Sequence, residues 1–492
     1  MKHIIKNIII GYSIFALSGC GIQKFERSVM ESMTTEVKSQ SYTKNQVQED
    51  IDFYLKTMNE ICPFPYLNTD STKVYEIARR IKSKGDRNGK ELYLDFMELS
   101  ASFNTAHTSI NPPKQMLSTY FARGGRVLPF TLRKMENDWV VSYIADSSAQ
   151  SLQDEIITKI NGEDISDLIE SFRKYSNGKD IEEREKYIAQ EIAFYLWLDE
   201  INAPYEIEYI DSKSGNRKKT SLSGYGKINS EQNSTETSSL NDYIEYKMIN
   251  NDIGYINFKS MLILDNNIKK DFYKFLDTTF EDINQKKLSN LIIDLRENSG
   301  GRGEYGDALL NYFADKPYSQ SSGEVRRVSQ QFKNYISQMP WLLRKIALAS
   351  ADLKDYPKLP NGMNRVNFDE PAPLKKQKNR FVGKTWVLIG PWTYSAAMMT
   401  ANAVEDHDLG ILVGEPTGGV PNELSDVLCV KTPNSEISLL IPSTLFTRAN
   451  GDASDPNPVM PDIEVKTTYE DEEKSIDPVM NFVLKKIGSD NQ

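Results

Sequence analysis

Residues 385–400 read TWVLIGPWTYSAAMMT. Thr385 to Gly390 is a continuous apolar run, the pattern of a strand buried on both faces. Pro391-Trp392-Thr393-Tyr394 makes a tight turn, and Ser395 then stands at the mouth of a helix. A helix start leaves N–H groups unpaired and carries partial positive charge, so an oxyanion forming beside Ser395 would meet donors and a favourable dipole. Helix capping is the other use of a serine there. Taken alone, the stretch favours the cap.

Leu291 to Gly301, LIIDLRENSGG, is a second apolar strand running into paired glycines. Glycines let backbone approach a ligand closely, and the carboxyl end of a strand is where an open α/β sheet places a site. An ordinary strand-to-helix turn would use the same residues. Upstream, the strand Ile253–Phe258 precedes a helix whose apolar face, Ile268, Phe272, Phe275, Leu276 and Ile283, keeps 3.6-residue spacing. Strand and helix alternate from there, which predicts an α/β core.

The segments DLRENSGG (294–301), TYSAA (393–397), VGEPTGG (413–419), LLIP (439–442) and VMPDIEV (459–465), with AHT (106–108) far upstream, together resemble the tail-specific, or C-terminal-processing, serine peptidases. The similarity covers most of the chain after about residue 50 and is dense from Asp252 to Val465. It implies a spiral α/β core of the ClpP/crotonase type over 241–488 and a PDZ-like domain over 125–223, while apolar residues at helical spacing in Ile51–Met58 and Val74–Ile81 predict a helical domain over 48–115 and a stretch rich in Ser, Asn, Glu and Gly predicts a linker over 224–240. Residues 154–162, DEIITKING, resemble the turn of a PDZ-like domain, whose strand edge would suit an extended peptide; a purely structural module is the other reading. Residues 318–380 interrupt the core as a groove wall or lid, or as inert packing.

The resemblance implies Ser395 as nucleophile. One branch of the family pairs it with a lysine after the G-E-x-T motif, but here Gly418-Gly419-Val420 follows Thr417, and Lys431 is out of register. The other branch, like the tricorn core protease, uses histidine with an acidic residue. The chain has three histidines. His3 lies in the targeting segment. His407 is twelve residues past Ser395 on the same expected helix, roughly 18 Å along its axis, and reads as a solvated residue near the helix end. His107 matches the family's histidine motif, although Thr105 and Ala106 replace residues that help position the base. The acidic member falls on Asp455, six residues before Pro461, where glutamate is usual; an Asx-type turn in Ser454-Asp455-Pro456-Asn457-Pro458 is an equal reading. The oxyanion donors implied are the Ala396 N–H and one from the glycine pair, Gly300 before Gly301.

At the amino terminus, Lys2 and Lys6 precede an apolar run ending in Leu17-Ser18-Gly19-Cys20. This resembles a bacterial lipoprotein signal over 1–20, with Cys20 the acylated residue, a polar tether over 21–47, and a place in the cell envelope. A plain secretory signal is the alternative. Cys62 and Cys429 are expected as separate, mostly buried thiols.

A net charge of −10 and a pI near 5.2 argue against nucleic-acid or anionic-membrane binding. No histidine or cysteine pair has metal-ligand spacing, so no metal and no cofactor are expected. The expectation is an exported, lipid-anchored serine endopeptidase acting on protein or peptide. Departures at Ala106, Met398 and Asp455 lean towards an inactive, peptide- or partner-binding relative, and coenzyme A chemistry has only the shared architecture behind it.

Overall fold

Three helices, α1 (Lys44–Ile61), α2 (Ser71–Ser83) and α3 (Gly89–Ala101), open the described chain. The computed structural model describes residues 41–226, 239–349, 353–468, 470–471, 474 and 476–490. These fall into two compact units, one made of 41–226 with 427–442 and the other of 239–426 with 443–490. The spans expected as separate helical and PDZ-like domains lie within the first unit. The lipoprotein signal, Cys20, and most of the tether and linker lie outside the described residues.

Each opening helix starts on a side-chain cap. Thr43 and Asn88 form capping boxes with Gln46 and Glu91, and Asp70 accepts from the Thr72 N–H. Val47, Ile51, Tyr54, Leu55 and Met58 make the buried face of α1. On the same helix Asp50 is fully buried, and a buried carboxylate needs donors. Ser435 supplies its N–H at 2.8 Å and its Oγ at 2.6 Å, and Asn434 its N–H at 2.9 Å. The hairpin tip at 434–435 is thereby tied to the amino-terminal helix.

Short β1 (Ser109–Ile110) pairs antiparallel with Leu439 and Leu440. An antiparallel sheet follows in the order β2 (Phe130–Met135), β3 (Asp138–Ile144), β4 (Ile156–Ile160), β5 (Tyr205–Ile210) and β6 (Arg217–Leu222). The charged insert at 181–198 forms two short helices. From the first, Arg184 Nη2 donates to the Ala101 carbonyl and Asn104 Oδ1, both at 2.6 Å. Cys62 is buried and Cys429 half-buried, and neither is joined in a disulfide among the described residues.

The second unit is built on six strands in the order β7 (Ile244–Met248), β8 (Ile253–Phe258), β9 (Asn290–Asp294), β12 (Lys384–Ile389), β13 (Ile411–Gly414) and β16 (Ile463–Glu464). Between β9 and β12 the chain forms the side strands β10 (Gly323–Arg327) and β11 (Asn364–Phe368). All neighbours in the six-stranded sheet run parallel except β7 and β8. Helices α4 (Asn266–Lys286), α5 (Gly303–Leu310) and α6 (Ala396–Asp406) cover one face, burying Phe272, Leu276, Tyr305 and Ala401 against Ile256, Ile293 and Val387. Helix α7 (Pro478–Asp490) covers the other with Val479, Val483 and Ile487 on Trp386, Leu388 and Val413. Burial on both sides is why these strands read as unbroken apolar runs.

Asp294 is paired in register with Leu388, so β9 and β12 deliver their following turns to one edge of the sheet. Arg296 fixes that edge. Its guanidinium meets both oxygens of Asp294, at 3.0 and 2.7 Å, and both of Asp477, at 2.9 and 2.8 Å, joining the turn to the start of α7. Among the described residues no helix is long and apolar enough to cross a membrane.

Candidate active site

Ser395 occupies the N-cap position of α6 with φ 50° and ψ −122°, and its side chain makes no capping hydrogen bond. A left-handed φ at a residue with a side chain costs roughly 1–3 kcal/mol and persists only where surrounding contacts enforce it. Those contacts come from the turn before it. Thr393, fully buried, accepts the Gly390 N–H on Oγ1 at 3.0 Å and donates from the same atom to the Leu295 carbonyl at 2.8 Å. The Tyr394 N–H donates to the Asn298 carbonyl at 3.0 Å, and the Gly418 N–H to the Thr393 carbonyl at 3.1 Å. Three motifs separated in sequence therefore clamp the backbone on the amino-terminal side of Ser395.

Gly300 lies against this serine. A Cβ built on it would sit 2.6 Å from Tyr394 O, 2.8 Å from Ala396 N and 2.8 Å from Ser395 Cβ, and its φ is +98°. Only glycine fits so close an approach. The expectation that Gly300 donates to an oxyanion meets a local obstacle, because its N–H already donates to Asn298 Oδ1 at 2.9 Å. The next N–H, that of Gly301, has no acceptor among the described residues, and the same holds for Ala396 N–H at the start of α6. Both residues line, with Ser395, a cavity of about 270 Å³.

Asn298 was not singled out from the sequence. Fully buried, it donates from Nδ2 to the Phe258 carbonyl at 2.8 Å while its Oδ1 and its carbonyl hold Gly300 and Tyr394. It joins β8, the glycine turn and the serine turn. Its signal in the sequence was an asparagine two residues before a glycine at a strand end, the composition of an Asx turn.

His107 belongs to the other unit. Its loop is fixed at the Thr108 carbonyl, which accepts from Ser100 Oγ at 3.2 Å, at β1, and at Asn111 N–H, which donates to the Ser438 carbonyl at 3.2 Å. The ring's Nδ1 is fully buried. Burial disfavours the imidazolium and pushes the pKa down to about 4. At neutral pH His107 is a neutral imidazole, the form that accepts a proton.

Asp455 forms the Asx turn that its neighbours predicted. Its Oδ1 accepts from Asn457 N–H at 2.9 Å and Asn457 Nδ2 at 2.8 Å, and its Oδ2 from Arg448 Nη1. Arg448 also binds Glu405 and Asp406 at the end of α6, so this carboxylate helps fasten the 448–460 loop to the serine's own helix. His407 is not solvated. It is half-buried, and its Nε2 accepts the Ser319 N–H at 3.1 Å. The segment 318–380, expected as wall, lid or packing, supplies much of the cavity wall, from Tyr318 to Ser321 and from Asn367 to Lys375. No cluster of three histidine, cysteine or acidic residues among the described ones could hold a metal ion.

Residues 252–465 match the model of peptidase family S41. No curated protein matches the chain in sequence. Among solved structures it is similar to mature CPAF, with a TM-score of 0.62, 14% identity, and 91% of this chain and 99% of that one covered. It is likewise similar to mature CPAF complexed with lactacystin, with a TM-score of 0.61, 14% identity, and 90% and 97% covered. At that identity the likeness concerns the fold. The core of this chain, residues 252–465, is thus similar in sequence to the peptidases of family S41, and its mixed α/β fold is similar to that of mature CPAF.

Proposed function

We propose that the protein is an exported, lipid-anchored serine endopeptidase that hydrolyses peptide bonds of protein or peptide substrates. Ser395 Oγ attacks the peptide carbonyl, His107 takes its proton and returns it to the leaving amine, and Asp455 favours the imidazolium formed on the way. The oxyanion is held by the Ala396 N–H and the N–H of Gly301, with Gly300 leaving the space beside the serine. The observation that carries this reading is the uncapped Ser395 at φ 50° beside an unbonded Ala396 N–H. A serine placed only to cap the helix would donate no strain and would bond the first-turn N–H groups. A PDZ-like role for β2 to β6, presenting a strand edge to an extended chain, belongs to the same proposal. So does the anchor at Cys20, which would hold the protein in the cell envelope.

One observation favours a second reading, a peptide- or partner-binding lipoprotein without turnover: both Asp455 oxygens are already engaged by Arg448 and Asn457. Labelling with a fluorophosphonate probe separates the two. Wild-type protein should label at Ser395, and Ser395→Ala and His107→Ala should not. Absence of labelling in folded wild-type protein would leave the binding reading.

A further inference from the structure

Among the described residues β11 ends its sheet: it pairs antiparallel with β10, β10 pairs in turn with residues 444–447, and no strand lies on the other side of β11. The register decides which main-chain groups face that open side. At the two ends of the pair, the Asp369 N–H donates to the Ser322 carbonyl at 2.7 Å and the Val328 N–H to the Met363 carbonyl at 2.8 Å. Antiparallel partners exchange hydrogen bonds at alternate residues, so Arg365 and Asn367 turn their main-chain groups to β10, while Asn364, Val366 and Phe368 turn theirs outward. Such a row of outward N–H and C=O groups is a template for another extended chain.

The outward residues also share one face of the strand, and it is bare of cover: Val366 is 52% exposed and Phe368 84%. Edge strands are ordinarily blunted by lysine, proline or a bulge, and this one has none of the three at its outward positions. Where the strand leads identifies what it pairs with. Asn367, on its opposite face, lines the cavity that contains Ser395, Ala396 and Gly301, and the chain leaving β11 continues along that cavity through Asp369, Glu370 and Ala372. A polypeptide paired with β11 thus runs beside the wall of the serine's cavity.

We infer that the outer edge of β11 binds an extended segment of the polypeptide that Ser395 cleaves, added as one more antiparallel strand, with apolar side chains two residues apart packed on Val366 and Phe368. The inference rests on the peptidase reading for what happens to the bound chain, but not for the pairing itself.

The test compares two peptidyl phosphonates that share an arm of alternating valine and threonine long enough to span β11. One has its valines N-methylated, so the two carry the same side-chain pattern and differ in the N–H groups that a strand needs. Ser395 should label at least about tenfold more slowly with the methylated arm, the scale of losing one or two main-chain hydrogen bonds. That ratio should fall towards one in Val366→Pro, which removes an outward N–H that β10 does not use. Phe368→Lys should slow labelling by the unmethylated arm without touching the ladder to β10. A small alkyl fluorophosphonate, too short to reach the edge, should label wild type and both variants alike. Equal rates with the two arms in wild type, with the small probe still labelling, would overturn the edge site and leave the peptidase. No labelling by any phosphonate, with the folded Ser395→Ala protein binding the free arm peptide but not its methylated twin, would overturn the peptidase and leave the edge as a peptide site; no labelling and no such binding would overturn both. Self-association in sedimentation that Val366→Pro abolishes and the arm peptide fails to compete would assign the edge to a second copy of the chain and overturn the inference.

Discussion

Gly300 and Ser395 are in direct contact: a Cβ on the glycine would lie 2.8 Å from the serine's Cβ. The two residues come from the ends of adjacent parallel strands, β9 and β12, and nothing but hydrogen lies between them. Gly300→Ala must therefore displace the serine turn while also straining a φ of +98°. Labelling of Ser395 should fall by at least about 100-fold, the scale of losing alignment with an oxyanion donor. Circular dichroism should still show a folded protein, with a lower melting temperature.

Ser395 itself stores strain and contributes no cap. Ser395→Gly should abolish labelling and raise stability by about 1 kcal/mol, because glycine adopts φ 50° without steric cost. Urea unfolding monitored by tryptophan fluorescence measures this directly. A loss of stability would mean that the serine side chain is doing structural work.

The pH response should be unusual for a histidine base. Burial holds His107 down to about 4, so the neutral form is present throughout the range in which an ordinary imidazole gains its proton. Labelling should stay near its plateau from pH 8 down to about 5 and fall only towards 4. Linkage has the corresponding sign. Between roughly 4 and 6.5 the unfolded chain binds the proton and the folded one does not, so stability falls as pH drops through that window. His107→Gln should remove that part of the acid sensitivity.

Asp455→Asn separates an orienting carboxylate from a fastening one. The Asx turn can survive, since an amide oxygen still accepts from Asn457, but the Arg448 contact weakens. We expect a stability loss of about 1–3 kcal/mol and a labelling rate reduced less than in His107→Ala. A labelling loss as deep as that of His107→Ala would make the carboxylate essential to the base.

Cys20→Ser should move the protein from the membrane fraction to the soluble one with its melting temperature unchanged, because acyl chains would be its hold on the bilayer. Retention of the variant in washed membranes would refute the anchor.

The strands and their order of use were legible in the chain. LIIDL and TWVLI are apolar without alternation because both faces of their sheet are covered, and composition alone records that. The opening helices were equally legible, from the spacing at Ile51 to Met58 and Val74 to Ile81. Ser395 stood out by its place after a strand and turn. What the sequence could not decide is which of its two uses the serine has, since a cap and an uncapped, strained serine have the same local sequence. That choice is made by Asn298, Thr393 and Gly418, which hold the turn through hydrogen bonds between distant segments. The same limit separates Gly300 from Gly301 as donor, where the asparagine two residues earlier takes one N–H and leaves the other. It also governs His407, whose polar neighbours suggested solvent although Ser319, 88 positions away, gives it a partner. Local propensity writes elements into sequence, whereas the direction of a single N–H or hydroxyl depends on residues brought together only by folding.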